Sequence, residues 1–265
     1  MSRSIKELMS LTGRAAVVTG GAGHVGREIC DTLAELGATV AVVDRQDAKA
    51  CAERVAKAFK VETLALDVDL SDETATRAVA AQVQARFGRC DILVNNAAFV
   101  GTSNLTGWAV PFAEQSVATW RQAIEVNLTA AFVLSQALAP LLSAQAGSII
   151  NIASIYGNLG PDWRRYEGTA LGNPAAYAAS KGGLIQLTRW LATTLAPRIR
   201  VNAISPGGIE RGQPKAFADQ YVAQTPMQRM AREEDLKGAI AFLASDASAY
   251  MTGQNIMVDG GYSAW

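Results

Sequence analysis

The sequence of 265 residues holds a single histidine, His24. No site built on two imidazole ligands is available, and a Ser-His-Asp triad has only that one position to draw on. Cysteine is nearly as scarce. Cys30, Cys51 and Cys90 are odd in number and lack the paired spacing of a metal or redox motif, so they read as reduced core or surface thiols. No metal site is expected. Net charge is missing too: Lys+Arg and Asp+Glu are 24 each. A balanced charge leaves no electrostatic footprint for nucleic acid or an anionic membrane. The first ten residues carry no apolar leader core, and no apolar run reaches membrane-spanning length. A soluble cytoplasmic chain is expected.

What is present is regular alternation. Short apolar runs at residues 14–19, 38–43, 61–66, 91–94, 148–152, 200–204 and 255–258 read as strands. Between them lie helical patterns, among them 48–59, 72–87 and about 235–244, with Asp72 near one start and Gly88 at its stop. Ile124, Leu128, Ala131, Phe132 and Leu138 also repeat at roughly helical spacing. Strands alternating with helices imply right-handed crossovers and a parallel sheet covered on both faces. No repeat or low-complexity linker interrupts the pattern. Residues 1–265 therefore read as one α/β domain, a doubly wound sheet of about seven strands.

The first strand runs into Thr19-Gly20-Gly21-Ala22-Gly23-His24-Val25-Gly26, which contains Gly21-x-Gly23-x-x-Gly26. Glycines between a strand and a helix permit a tight turn and close approach of backbone to a pyrophosphate, which rests on the helix N-terminus. The second strand ends at Asp44-Arg45. A carboxylate there can accept hydrogen bonds from adenosine ribose hydroxyls and repel a 2′-phosphate, which favours NAD over NADP. Arg45 pulls the other way, because it could pair with that phosphate. Asp44 could also be an ordinary turn former.

Tyr177 and Lys181 stand four apart at the head of a helical pattern, so they share one face. A phenol has a reference pKa of about 10, and a fixed cation nearby can lower an acid by roughly 1–3 units. That spacing predicts a phenol tuned for general acid–base work. Ser154 follows the 148–152 strand and could bond a substrate oxygen beside it. Taken alone, such a pair is usually a half-buried tyrosine with a solvated lysine.

Together with Asp67-Val68, Asn95-Asn96-Ala97-Ala98, Asn127 and Pro206-Gly207, these pieces stand in a fixed order along nearly the whole chain. In that order the sequence resembles the short-chain dehydrogenase/reductase family, a Rossmann-fold family. The resemblance implies cofactor contacts from Gly20, Gly23, His24, Val25, Asp44 and Arg45, with Asp67 and Val68 flanking the adenine. Asn95 and Ala97 would line the cleft, and Pro206, Gly208 and Ile209 would meet the nicotinamide end. Asn127 would hold a proton-relay water through a distortion of its helix. Ser154 would orient a carbonyl, Tyr177 would exchange the proton, and Lys181 would bind the nicotinamide ribose and depress the Tyr177 pKa.

The chain also departs from the family. His24 stands where another glycine is usual, and Arg211 where a threonine is usual, offering a cation. The segments 99–116 and 157–174 are long for the family, and both follow strand ends where ligands bind. The second carries Trp163, Arg164 and Arg165, an aromatic face and two guanidiniums suited to a polyhydroxylated, anionic substrate. The alternative is that Trp163 and Tyr166 anchor the loop while the two arginines are solvated or sit in a subunit contact. The function expected is an NAD-dependent oxidoreductase interconverting a secondary alcohol and a ketone, with sugar or sugar-acid substrates favoured. A 3-oxoacyl thioester reductase is the alternative, and a non-catalytic dinucleotide-binding regulator the alternative of another class. Family resemblance further implies a homotetramer through the helix near 120–138, the helix after Tyr177 and the C-terminal tail.

Overall fold

The computed structural model describes residues 2–101, 103–169 and 171–265. The expected seven strands are present, all parallel: β1 Ala15–Thr19, β2 Thr39–Asp44, β3 Thr63–Asp67, β4 Ile92–Asn95, β5 Ser148–Ile152, β6 Arg200–Pro206 and β7 Asn255–Val258. Their order across the sheet is β3-β2-β1-β4-β5-β6-β7. The chain thus reverses direction of growth between β1 and β4, and there the carboxyl ends open a crevice. The register aligns those ends. Thr19 lies beside Val43, Asp44 beside Asp67, Asn95 beside Asn151, and Ile152 beside Ile204.

The helices are α1 Ile5–Met9, α2 His24–Glu35, α3 Ala48–Phe59, α4 Glu73–Phe87, α5 Val117–Ile124, α6 Ala130–Ala144, α7 Ala175–Leu195, α8 Lys215–Ala223 and α9 Lys237–Ala244. Strands buried on both faces need cover on both, and two apolar cores supply it. Ile29, Leu33, Val55, Ile240 and Leu243 fill one side, and Val79, Val83, Leu134, Leu138 and Leu191 fill the other. The cysteines are core thiols. Cys30 and Cys51 lie against the Gly21 carbonyl, with sulfur–oxygen distances of 3.8 and 3.3 Å.

Three features differ from the sequence expectation. The segment Val117–Ala144 is one continuous helical stretch with the length and hydropathy of a membrane span, mean 1.5. The expectation that no stretch qualifies is corrected; this helix is apolar because Ala123, Ala130, Leu134, Leu138 and Leu142 are buried in the fold. The short α1 begins with a capping box between Ser4 and Glu7, the helix-start pattern of Ser4-x-x-Glu7. Helix α8 was also not foreseen. Its cues are Pro214 at the N-cap and the Lys215–Asp219 pair one turn apart.

Candidate active site

One cavity of about 800 Å³ runs across the carboxyl ends of the strands, from the glycine turn to the 157–174 segment. At its cofactor end the backbone is shaped before any side chain contributes. Gly20 has φ +61°, and a Cβ there would stand 2.8 Å from the Ala97 Cα. At Gly26 a Cβ would fall 1.9 Å from the Gly20 carbonyl oxygen, so only glycine lets α2 reach the turn. The N-cap of α2 is Gly23, with no side chain capping it, which leaves the first-turn N–H groups available for an anion. Asp44 completes the turn: Oδ2 accepts from the Ala22 N–H at 3.0 Å and Oδ1 from the Arg45 N–H at 2.8 Å. A nicotinamide dinucleotide fits this cradle.

Gly20, Gly23, His24, Val25, Asp44, Arg45, Val68, Ala97, Pro206, Gly208 and Ile209 all line the cavity. The Arg45 guanidinium stacks 5.6 Å over the Phe99 ring, on the cleft side of the strand end. Two expected residues do not reach the cavity. Asp67 is exposed at the end of β3, and from that strand end it is Asp69, two residues on, that lines the cavity beside Asp44. Asn95 is turned sideways into the sheet, where Nδ2 donates to Asn151 Oδ1 at 2.8 Å. Its neighbour Asn96 faces the turn, donating to the Thr19 and Gly20 carbonyls at 3.0 Å each. Asn-Asn in the sequence flagged the spot without saying which amide serves it.

At the centre of the cavity Lys181 is buried, and its ammonium donates to the Ile152 carbonyl at 2.6 Å. Its Nζ lies 5.8 Å from the Tyr177 ring centroid, so the two do share the expected face. Burial pushes the ammonium pKa down to about 8. The phenol moves in the direction opposite to the one expected from spacing. Burial raises the Tyr177 pKa; the Ser154 hydroxyl and the Arg211 charge oppose that rise without reversing it. The cause is desolvation of the phenol itself, to which the neighbouring Tyr156 adds.

Asn127 sits in a π-helical turn, Glu125–Thr129, between α5 and α6. Its Oδ1 accepts from the Phe99 N–H at 2.7 Å, while Nδ2 donates to the Phe99 carbonyl at 3.1 Å and Ser180 Oγ at 3.0 Å. The side chain thus ties the segment after β4 to α7. Beside it is a separate small cavity of about 10 Å³, lined also by Thr19 and Asn95. That is room for about one water, and Asn95 Oδ1 there has no partner in the protein.

The substrate end departs most from expectation. Of Trp163, Arg164, Arg165 and Arg211, only Arg211 lines the cavity, where it shares its charge with Glu233 at 3.2 Å. Trp163 is 56% exposed and outside the cavity. Arg164 points to solvent and grips Asp162 through Nε at 2.9 Å and Nη2 at 2.7 Å. Arg165 is buried, but behind the cavity wall, its guanidinium 4.6 Å from the Tyr262 ring and 5.9 Å from Tyr221. These four therefore do not form an anion grip. Tyr156, Tyr166 and Asn173 line that end instead, and Phe217 of α8 closes it. Nothing local in the sequence distinguished them; Tyr166, for one, is oriented by packing on Phe217 of α8, with ring centroids 5.5 Å apart.

Among the described residues no group of three His, Cys, Asp or Glu side chains is placed to hold a metal.

Comparison with known proteins agrees with this geometry. The family model described as enoyl-(acyl carrier protein) reductase matches residues 20–263. A cis-4-hydroxycyclohexanecarboxylate dehydrogenase of Sinomonas cyclohexanicum is 36% identical over 260 residues, covering 95% of this chain and 97% of the relative. A 3-oxoacyl-[acyl-carrier-protein] reductase of Staphylococcus aureus (strain N315) is 36% identical over 259 residues, covering 94% and 97%. The crystal structure of a gluconate 5-dehydrogenase from Burkholderia cenocepacia J2315, in complex with NADP and tartrate, superposes with a TM-score of 0.86. It is 30% identical, covering 99% of this chain and 100% of that one. Solved neighbours carry either NAD+ or NADP. Fold, site order and these likenesses agree: the chain is an oxidoreductase of the short-chain dehydrogenase/reductase family.

Proposed function

We propose that the protein interconverts a secondary alcohol and a ketone with NAD(H), using Tyr177 as general acid and base. The observation that carries this reading is the meeting of Ser154, Tyr177 and the buried Lys181 in the same cavity as the glycine turn. The glycine turn and the start of α2 would hold the pyrophosphate, Asp44 the ribose hydroxyls, and Pro206 to Ile209 the nicotinamide end. When bound, that ring supplies the hydride chemistry. Ser154 bonds the substrate oxygen, and Tyr177 takes the hydroxyl proton in oxidation or returns it in reduction. Lys181, with its pKa near 8, is still cationic at neutral pH and stabilises the phenolate as it forms. Asn127 would anchor the relay that carries the proton onward.

The choice of NAD rests on Asp44, whose charge opposes a 2′-phosphate at the end of β2. The substrate reading is narrower than the sequence suggested. With Arg164 and Arg165 away from the cavity, a small hydroxylated molecule fits better than one gripped by several cations. The hydroxy-acid names of two relatives support that class. The likeness to the acyl-carrier reductase supports the thioester alternative on the same catalytic residues. Screening polyols, sugar acids and cyclic hydroxy acids for NADH formation, beside an acetoacetyl thioester with NADPH, separates the two. Turnover of the thioester alone, with NADPH alone, would overturn the proposal.

The proposal includes a cytoplasmic homotetramer. Its support is the exposed Trp120 and Phe132 on the long helical stretch and Trp190 on α7. In the tail, Tyr262 is buried while Trp265 is exposed, so of its two aromatics only Trp265 remains available for a contact. Light scattering that finds a monomer at micromolar concentration would reject the assembly.

A further inference from the structure

Asn173 precedes the N-cap of α7 by one residue and Tyr177 by four, and it lines the same cavity. It is only 6% exposed, yet neither Nδ2 nor Oδ1 has a hydrogen-bond partner. Buried amides are ordinarily satisfied, so an amide left open against a cavity marks a place where a ligand supplies the bonds. Tyr166 draws on the amide only loosely, at a geometry short of a formed hydrogen bond, and its hydroxyl is paired with that of Tyr156 at 2.8 Å. One phenol of that pair donates to the other, which leaves a single phenol proton free to face the cavity.

The chemistry of the missing partner follows from what is open: the amide N–H groups, the amide carbonyl and one phenol donor. A carboxylate only accepts, and would set a negative oxygen against Oδ1. A hydroxyl both accepts and donates. Resting on the alcohol-dehydrogenase reading above, we infer that Asn173 is a specificity-determining residue that binds a second, neutral hydroxyl of the substrate, next to the carbinol that Tyr177 deprotonates. The substrate class is a vicinal diol or polyol. Buried Arg165 has open N–H groups as well, but it stacks on two rings outside the cavity and takes no part.

The test compares meso-2,3-butanediol with 2-butanol, both with NAD. Wild-type kcat/KM should favour the diol by about tenfold or more, the scale of one or two hydrogen bonds. Asn173→Leu keeps the volume and removes both polar atoms. The diol preference should then fall to within about threefold of unity, the ratio expected when no bond to the second hydroxyl remains. Because the substitution also removes an unsatisfied amide, Tm should equal or exceed that of the wild type. Asn173→Ser, which retains one hydroxyl, should fall between. A preference unchanged in either variant overturns the inference, as does a Tm several degrees lower in both, which would make Asn173 structural. If the wild type turns over neither alcohol, the inference fails. If the wider polyol panel also yields no NADH, the oxidoreductase reading fails with it.

Discussion

The two ends of the cavity are built by different means. The cofactor end is backbone: a positive φ at Gly20, a missing Cβ at Gly26 and bare N–H groups at the start of α2. The substrate end is side chains brought from the segments around Tyr156, Tyr166, Asn173, Arg211 and Phe217. A site made of backbone is written in consecutive residues, so its spacing is readable and its substitutions are unforgiving. A site made of distant side chains is adaptable, and its members can be exchanged without disturbing the sheet.

At the junction of the two ends stands Tyr177, and Tyr177→Phe should have the largest effect. It should lower kcat by ~10²–10⁴-fold, the usual loss on removing a general acid–base group, with NAD affinity nearly retained. Single-turnover kinetics showing more than half the wild-type rate would remove Tyr177 from its role. Next comes Gly26→Ala, which forces a Cβ into the Gly20 carbonyl. Overpacking of this kind costs ~1–3 kcal/mol, and the glycine turn should yield first. NAD titration should show a marked loss of affinity, whereas a variant binding NAD like the wild type would refute the claim that the turn is rigidly built.

The Lys181 ammonium sharpens the comparison through pH. Its folded pKa of about 8 lies below the ordinary value of 10.5 because of burial. Below pH 8 the group is protonated in both states, and the folded protein bears the full cost of burying the charge. Between pH 8 and 10 the unfolded chain holds more protons, so stability should rise with pH, by about 2 kcal/mol from this group. Denaturant melts should show that rise in the wild type, and Lys181→Met should flatten it. An identical slope in the two proteins would mean that the buried ammonium is not the source.

Asp44→Ala tests a side chain in the backbone-built end. Hydrogen bonds to a charged group contribute about 1.5–3 kcal/mol, so NAD should weaken about tenfold or more while discrimination against NADP relaxes. A wild-type preference for NADP in steady-state kinetics would instead promote Arg45. The smallest effect belongs to Arg164→Ala. Its guanidinium faces solvent on Asp162, where an exposed pair is screened and contributes little. KM for the best alcohol should stay within about twofold. A tenfold rise would return Arg164 to the substrate end.

How far each part was legible follows from chain distance. Strand and helix periods, the glycine turn and the Tyr177–Lys181 spacing are local, so periodicity and backbone sterics determine them in the sequence. The π turn at Asn127 was anticipated through family resemblance rather than through its own residues. What the sequence left open is direction. Asn95 and Asn96 are adjacent, yet the register of β4 on β5 sends Asn95 to Asn151 and leaves Asn96 for the turn. Arg164 and Arg165 are equally adjacent, and the rings of Tyr221 and Tyr262 draw only Arg165 inward. The Tyr177 phenol was expected to acidify beside a cation; desolvation of the whole pocket, a property of the packed molecule, raised it instead. Local sterics and periodicity act between near neighbours in the chain and so are written there. Burial and side-chain direction at the substrate end arise only when α8 closes on residues 163–166, contacts separated by some fifty positions in sequence.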